Sequence, residues 1–140
     1  MSENLDNDTM LNIDDLPQPV FSENSLAILS KRHLLKDVNG NTAETPTQMF
    51  LRVAAAIAQE DEKYVKGAPA RKQKAVTKVT RDFYTVMAEN RVLPGSRVLY
   101  EAGNKIDGTG QLASCFVLPI EDSLEQIFQT MEEAAMVQIN

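Results

Sequence analysis

The chain has 140 residues, 43% hydrophobic and 24% charged, ordinary values for one soluble globular domain with a modest core. No apolar run approaches the ~18 residues of a membrane span, no secretory signal opens the chain, and one cysteine cannot form an internal disulfide, so a reducing, cytoplasmic location without membrane contact is expected. The net charge of −6 lies in residues 1–24, which carry Glu3, Asp6, Asp8, Asp14, Asp15 and Glu23 and no Lys or Arg; the other 14 acidic residues balance 14 basic ones.

Residues 1–16 are polar and acidic without helical apolar spacing, so residues 1–19 are expected to be an acidic disordered tail that solvates the terminus. Each proline of Leu16-Pro17-Gln18-Pro19 pushes its predecessor to an extended conformation, and order is expected to begin after it. Ser22 can cap a helix through about Leu35, with Leu26, Ile28, Leu29 and Leu34 apolar. Asp37-Val38-Asn39-Gly40-Asn41 reads as a turn. Thr45-Pro46-Thr47-Gln48 is a capping-box pattern with proline at the first helical position. Phe50, Val53, Ala54, Ile57 and Ala58 then fall on one face. Lys66-Gly67-Ala68-Pro69-Ala70 breaks that helix.

A long helix is expected from about Arg71 to Asn90, with an apolar stripe of Val76, Val79, Phe83, Val86 and Met87. Lys72, Lys74, Lys78 and Arg81 populate much of the remainder. A nucleic-acid role for this basic face is set aside in favour of a solvated helix face, since few aromatics interleave and the chain beyond the tail is not net basic. Residues 91–111 form a glycine-rich, irregular connection, with a second strand considered near Arg97–Glu101. Leu112–Leu118 reads as a buried strand carrying Ser114-Cys115. Ser123-Leu124-Glu125-Gln126 repeats the capping-box pattern, and Leu124, Ile127, Phe128, Met131 and Ala135 line one face of a last helix. Phe83 and Phe128 stand at the centres of their stripes and are expected in the core. One or two strands are marginal alone, so something must cover Leu112–Leu118.

The chemistry available from residue types is sparse. His33 is the only histidine, which rules out a His-based cluster, and no metal site is expected. No phosphate-binding glycine loop is present. From residue types alone, Cys115 could be a nucleophile or a redox thiol, but a small buried core residue is the favoured reading, free cysteines being among the most buried residue types. The six methionines read as core filler.

Several motifs in order carry a resemblance. They are Phe21-Ser22-Glu23-Asn24-Ser25-Leu26, Leu34-Leu35-Lys36-Asp37, Glu44-Thr45-Pro46-Thr47-Gln48-Met49-Phe50, Phe83-Tyr84-Thr85-Val86-Met87, Leu93-Pro94-Gly95-Ser96-Arg97 and Glu101-Ala102-Gly103. Gly110-Gln111-Leu112-Ala113-Ser114-Cys115-Phe116-Val117-Leu118-Pro119, followed by Glu121-Asp122-Ser123, is the most specific. Over roughly residues 20–138 the chain resembles the catalytic chain of ribonucleotide reductases, most closely the adenosylcobalamin-dependent (class II) enzymes.

That resemblance implies a mainly α fold. Residues 20–110 would be the helical N-terminal domain, and 111–140 the first strand of the α/β catalytic barrel and its following helix, with the chain ending short of the rest. Cys115 matches one half of a redox-active pair, Ser114 a substrate-contacting position, and Ser96 a serine or threonine that helps hold the substrate phosphate. Many relatives have proline where this chain has Arg97. The thiyl-radical cysteine and the second redox cysteine of the family lie far downstream, so the chain alone is expected to be inactive. Some relatives carry an ATP-binding regulatory domain upstream, for which this sequence leaves no room. The implied partners are a ribonucleotide, the remaining C-terminal barrel portion and an external dithiol such as thioredoxin, with adenosylcobalamin bound largely outside this chain. The alternative is a non-catalytic helical interaction protein on the same scaffold.

Overall fold

The computed structural model describes residues 11–139 except Asp107 and Thr109. Its helices are α1 (Glu23–Arg32), α2 (Pro46–Ala58), α3 (Pro69–Ala88), α4 (Ser96–Glu101) and α5 (Leu124–Ile139). The only β pairing among the described residues is an isolated antiparallel bridge between Lys36 and Thr42. The mainly α architecture therefore agrees with the sequence reading.

Helix α2 forms as its sequence dictates. Thr45 Oγ1 accepts from the Gln48 amide at 3.2 Å, and Gln48 Oε1 accepts from the Thr45 amide at 2.7 Å. This reciprocal cap satisfies two of the orphan donors at a helix start. The helix buries Met49, Phe50, Val53, Ala54 and Ala58 and packs chiefly on α3. Phe21 covers Phe50, the ring centroids 5.8 Å apart. Leu29 and Leu34 join the same core, as do Tyr84 and Met87 of α3 and Leu99 of α4.

Helix α1 starts at the Ser22 cap, whose Oγ accepts from the Ser25 amide at 3.2 Å. It ends at Arg32, earlier than the apolar pattern suggests. Leu34 and Leu35 are buried outside the helix, because the chain turns inward there: the Leu35 amide donates to Glu44 Oε1 at 2.9 Å. The expected turn follows. Asp37 Oδ1 accepts from the amides of Asn39 at 2.9 Å and Asn41 at 2.8 Å, with Gly40 at φ 82°.

The structure departs from the expectations in several further places. Residues 11–19, expected within the unstructured tail, are ordered: Leu16 is buried in the core, and the Tyr84 hydroxyl donates to the Pro17 carbonyl at 2.9 Å. Two leucines, Leu11 and Leu16, give this polar stretch its anchors. The first part of the tail, with Glu3, Asp6 and Asp8, lies outside the described residues. The buried face of α3 is Val76, Thr80, Tyr84, Met87 and Ala88, so Phe83 is 37% exposed. It lines a surface groove of about 280 Å³ with Ile57, Val86, Val92 and Pro94.

Further departures concern the strands and the last helix. Arg97–Glu101 lies within α4, and Gln111–Ile120 is neither helix nor strand. A strand needs a neighbour for its backbone groups, and the described residues supply none for Leu112–Leu118. Helix α5 buries no residue, and Phe128 is 66% exposed, so it is not a core residue here.

Candidate functional site

The short helix α4 and the segment after Gly110 carry the residues singled out from sequence. A helix of six residues has little stability of its own, and α4 is held from outside. Arg52 of α2 donates to the carbonyls of Leu99 at 2.9 Å, Tyr100 at 3.3 Å and Ala102. These are carbonyls that a helix end leaves without partners. Gly103 follows at φ 70°, where a Cβ would lie 3.1 Å from both Ala56 Cβ and Arg52 Cγ. Only glycine lets the chain turn this close to α2.

Helix α4 in turn holds the next segment. Arg97 Nε donates to the Gln111 carbonyl at 3.2 Å and lies 3.8 Å from Glu101 Oε1. Glu101 is 5% exposed, and its other oxygen accepts from the Gly110 amide at 3.3 Å. One ion pair thus fixes both Gly110 and Gln111, the residues that lead into Ser114-Cys115. At the far end, Thr130 of α5 donates to the Pro119 carbonyl at 2.9 Å, and Ser123 Oγ accepts from the Gln126 amide at 3.2 Å.

Between these anchors Cys115 is exposed, against the buried strand expected from its apolar neighbours. Its Sγ lies 3.8 Å from Ser114 Oγ. Ser114 lines an open cleft of about 310 Å³ with Arg97, Gln111, Ala113, Phe116, Val137 and Gln138. Cys115 is not among the residues that line it. Ser96 is exposed at the first position of α4 and lies outside that cleft. The structure therefore brings Ser114 together with Arg97, while neither Cys115 nor Ser96 lines that cleft.

Arg97 and Glu101 are the site residues that sequence reasoning missed. Their spacing of four on a helix was the available signal. It was hidden because the run Val98-Leu99-Tyr100 suggested a strand. Among the described residues no cluster of His, Cys, Asp or Glu could hold a metal ion, and no helix is long and apolar enough to cross a membrane.

Comparison with known proteins places this geometry in a family. The family described as ribonucleotide reductase, all-alpha domain, matches residues 20–106. The chain is 35% identical over 114 residues to the vitamin B12-dependent ribonucleoside-diphosphate reductase of Mycobacterium tuberculosis, covering 81% of this chain and 15% of that protein. The namesake enzyme of Thermoplasma acidophilum is 30% identical over 162 residues, covering 81% of this chain and 21% of the relative. The ribonucleoside-diphosphate reductase subunit alpha of Helicobacter pylori is 30% identical over 129 residues, covering 91% and 14%. The chain thus spans 14–21% of the length of these relatives. It belongs to the ribonucleotide reductase family, and residues 20–106 are its all-alpha domain.

Proposed function

We propose that the chain serves a ribonucleoside-diphosphate reductase in which Cys115 supplies one thiol of a redox-active pair and Ser114 and Ser96 contact the ribonucleotide. The observation that carries this reading is the Ser114–Cys115 pair, 3.8 Å apart, exposed, and on a segment held at its start by Arg97. Replacing a ribose 2′-hydroxyl by hydrogen, with loss of water, consumes two electrons. A dithiol supplies them and becomes a disulfide. Cys115 is the only cysteine of the 140 residues, so the second thiol comes from the remaining barrel portion of the enzyme. Its Cβ must approach that of Cys115 to about 3.5–4.5 Å. An external dithiol such as thioredoxin then restores the pair by exchange, in the reducing cytoplasm.

The backbone of Leu112–Leu118, which pairs with no strand among the described residues, supports the same reading, since it offers an edge to a strand of that barrel portion. Two relatives are named vitamin B12-dependent, which favours adenosylcobalamin as the cofactor of the complete enzyme. The described residues do not fit a corrin. The one imidazole, His33, sits at the end of α1 with its Nδ1 buried, and the clefts, of about 280 to 510 Å³, are open grooves. The part played here is in holding substrate and supplying a thiol.

The test uses the complete enzyme. Cys115→Ser keeps the size and polarity of the side chain but cannot form a disulfide, so multiple turnover with a dithiol reductant is expected to stop while radical formation survives. Normal steady-state turnover by that variant would overturn the redox role. The 140-residue chain by itself is expected to reduce no ribonucleotide.

A further inference from the structure

We infer that Glu101 and Arg97 are positioning residues for the reactive thiol: together they set the path of the segment from Gly110 to Cys115, and so the effective concentration of Cys115 against its partner thiol. The inference rests on the redox reading of Cys115. Among the described residues Glu101 is the only charged one that is buried, and electron transfer assigns it no part. A buried carboxylate is costly unless its oxygens are answered, so what it holds is informative. Its two oxygens are divided: Oε1 lies 3.8 Å from Arg97 Nε, and Oε2 accepts from the Gly110 amide at 3.3 Å.

The hold passes along the chain residue by residue. Gly110 turns the backbone at φ 76°, with no atom within 4 Å of where a Cβ would stand, so glycine is required there by conformation and not by crowding. Arg97 Nε then donates to the Gln111 carbonyl at 3.2 Å. Gln111 Oε1 in turn accepts from the Ala113 amide at 3.0 Å, one residue before Ser114. On the far side Thr130 takes the Pro119 carbonyl at 2.9 Å. Cys115 lies between these holds on a segment that is neither helix nor strand. The platform itself is firm, because Arg52 grips the carbonyls of Leu99 and Tyr100 beside Glu101.

Disulfide chemistry is sensitive to such placement. The two Cβ atoms must come within about 3.5–4.5 Å of each other, and a thiol held in position reacts as though far more concentrated than a free one. Each residue released from its hold adds up to about 3.5 Å of reach, which spreads the thiol over a larger volume. Glu101 and Arg97 thus act through the segment without touching the thiol.

The test measures the Cys115 disulfide in the complete enzyme. Mixtures of reduced and oxidised dithiothreitol set the poise. As the enzyme's S–S bond forms, oxidised dithiothreitol takes up the two electrons and two protons that the thiols give up. After quenching and alkylation, the oxidised fraction is read by mass spectrometry at the Cys115 peptide. Glu101→Gln keeps the size of the side chain but removes its charge, and Arg97→Gln removes the donor to Gln111. Each is expected to lower the effective concentration at least tenfold, raising the potential by about 30 mV. The double variant should be less than additive, since both residues act on one segment. Two controls should leave the potential where it is: Tyr84→Phe, which weakens the fold at Pro17, and Glu89→Gln, which removes an exposed charge 2.8 Å from Arg91. A change under twofold in both Glu101→Gln and Arg97→Gln would overturn the inference alone, as would an equal change in Tyr84→Phe, which would make the effect one of general stability. Absence of any Cys115 disulfide in the unaltered enzyme would overturn the redox reading and the inference with it.

Discussion

Arg52 grips Glu44 at two points: Nη2 lies 2.8 Å from Oε1 and Nε 3.0 Å from Oε2. The pair is nearly enclosed, with side-chain exposures of 13% and 8%. Glu44 Oε1 also takes the Leu35 amide, while the rest of the guanidinium holds the end of α4. A single planar fork therefore joins the turn after α1, helix α2 and helix α4. Because α4 carries Ser96 and Arg97, the ion pair also supports the candidate site.

Arg52→Leu would leave the Glu44 carboxylate and three carbonyls without their donor. Breaking one side of a buried pair costs about 3–5 kcal/mol, and the lower end is expected here because water can reach the rim. Arg52→Lys should recover only part, since an ammonium cannot reproduce the two-point fork. Urea unfolding of the three proteins measures this, and a loss under about 1 kcal/mol for Arg52→Leu would contradict the structural role.

Tyr84 and Phe83 give the second prediction. Tyr84 is fully buried, and its hydroxyl donates to Pro17; burial raises its pKa above the ordinary 10.0. Tyr84→Phe strands the Pro17 carbonyl and should cost about 1–2 kcal/mol, loosening residues 11–19 as it does so. Tyr84→Ala should cost about 3–5 kcal/mol, as for a buried aromatic. Phe83→Ala should cost clearly less, since its ring is partly in water. Equal losses at the two alanine variants would show that the face of α3 is misjudged.

The same two residues show where the sequence was legible. Caps and turns are local chemistry, so the Thr45–Gln48 box, the Ser22 cap and the Asp37–Asn41 turn were readable from residue types alone. The buried face of α3 was not. Thr80 and Tyr84 are polar by name, but Thr80 donates to the Val76 carbonyl at 2.9 Å and Tyr84 to Pro17. Each polar tip is satisfied inside, which a pattern of apolar letters cannot register. The tail was misjudged beyond Leu11 for a related reason: two leucines suffice to anchor a short segment, but they make no periodic signal. Leu112–Leu118 has the composition of a strand, yet strands are completed by neighbours, and a composition does not say whether one is present. The Arg97–Glu101 pair was hidden by its β-like neighbours.

A third prediction is a pH dependence centred on His33. Burial, and after it the charge of Arg32, hold the His33 imidazole below its ordinary value of 6.5. The unfolded chain then takes up this proton more readily than the folded one. The contribution to stability is complete above about pH 6.5 and is lost as pH falls from there through the lowered folded value. Asp37, whose carboxyl is lowered chiefly by the Asn41 amide, works in a separate window: its contribution is lost only as pH falls below about 3.8. Urea midpoints between about pH 7.5 and 5.5 should therefore decline in the parent chain and decline less in His33→Gln. Identical slopes would remove His33 as the cause.

The last prediction concerns access to Cys115. Its thiol is exposed on a segment with no strand partner among the described residues, anchored through Arg97, Glu101 and Thr130. A thiol reagent should therefore label the folded chain at nearly the rate seen in urea at the same pH, because no opening step precedes reaction. In the complete enzyme the barrel portion should pair with Leu112–Leu118 and slow the labelling. Glu101→Leu offers an internal control: it removes the acceptor of the Gly110 amide without touching the thiol, so it should leave labelling of the isolated chain unchanged but speed amide exchange at Gly110. Equal labelling rates in the chain and in the complete enzyme would mean that the segment stays uncovered, and the barrel-edge reading of Leu112–Leu118 would fall. Slow labelling in the isolated chain would instead show that Cys115 is sheltered within these 140 residues, in a way the exposed extended segment does not allow.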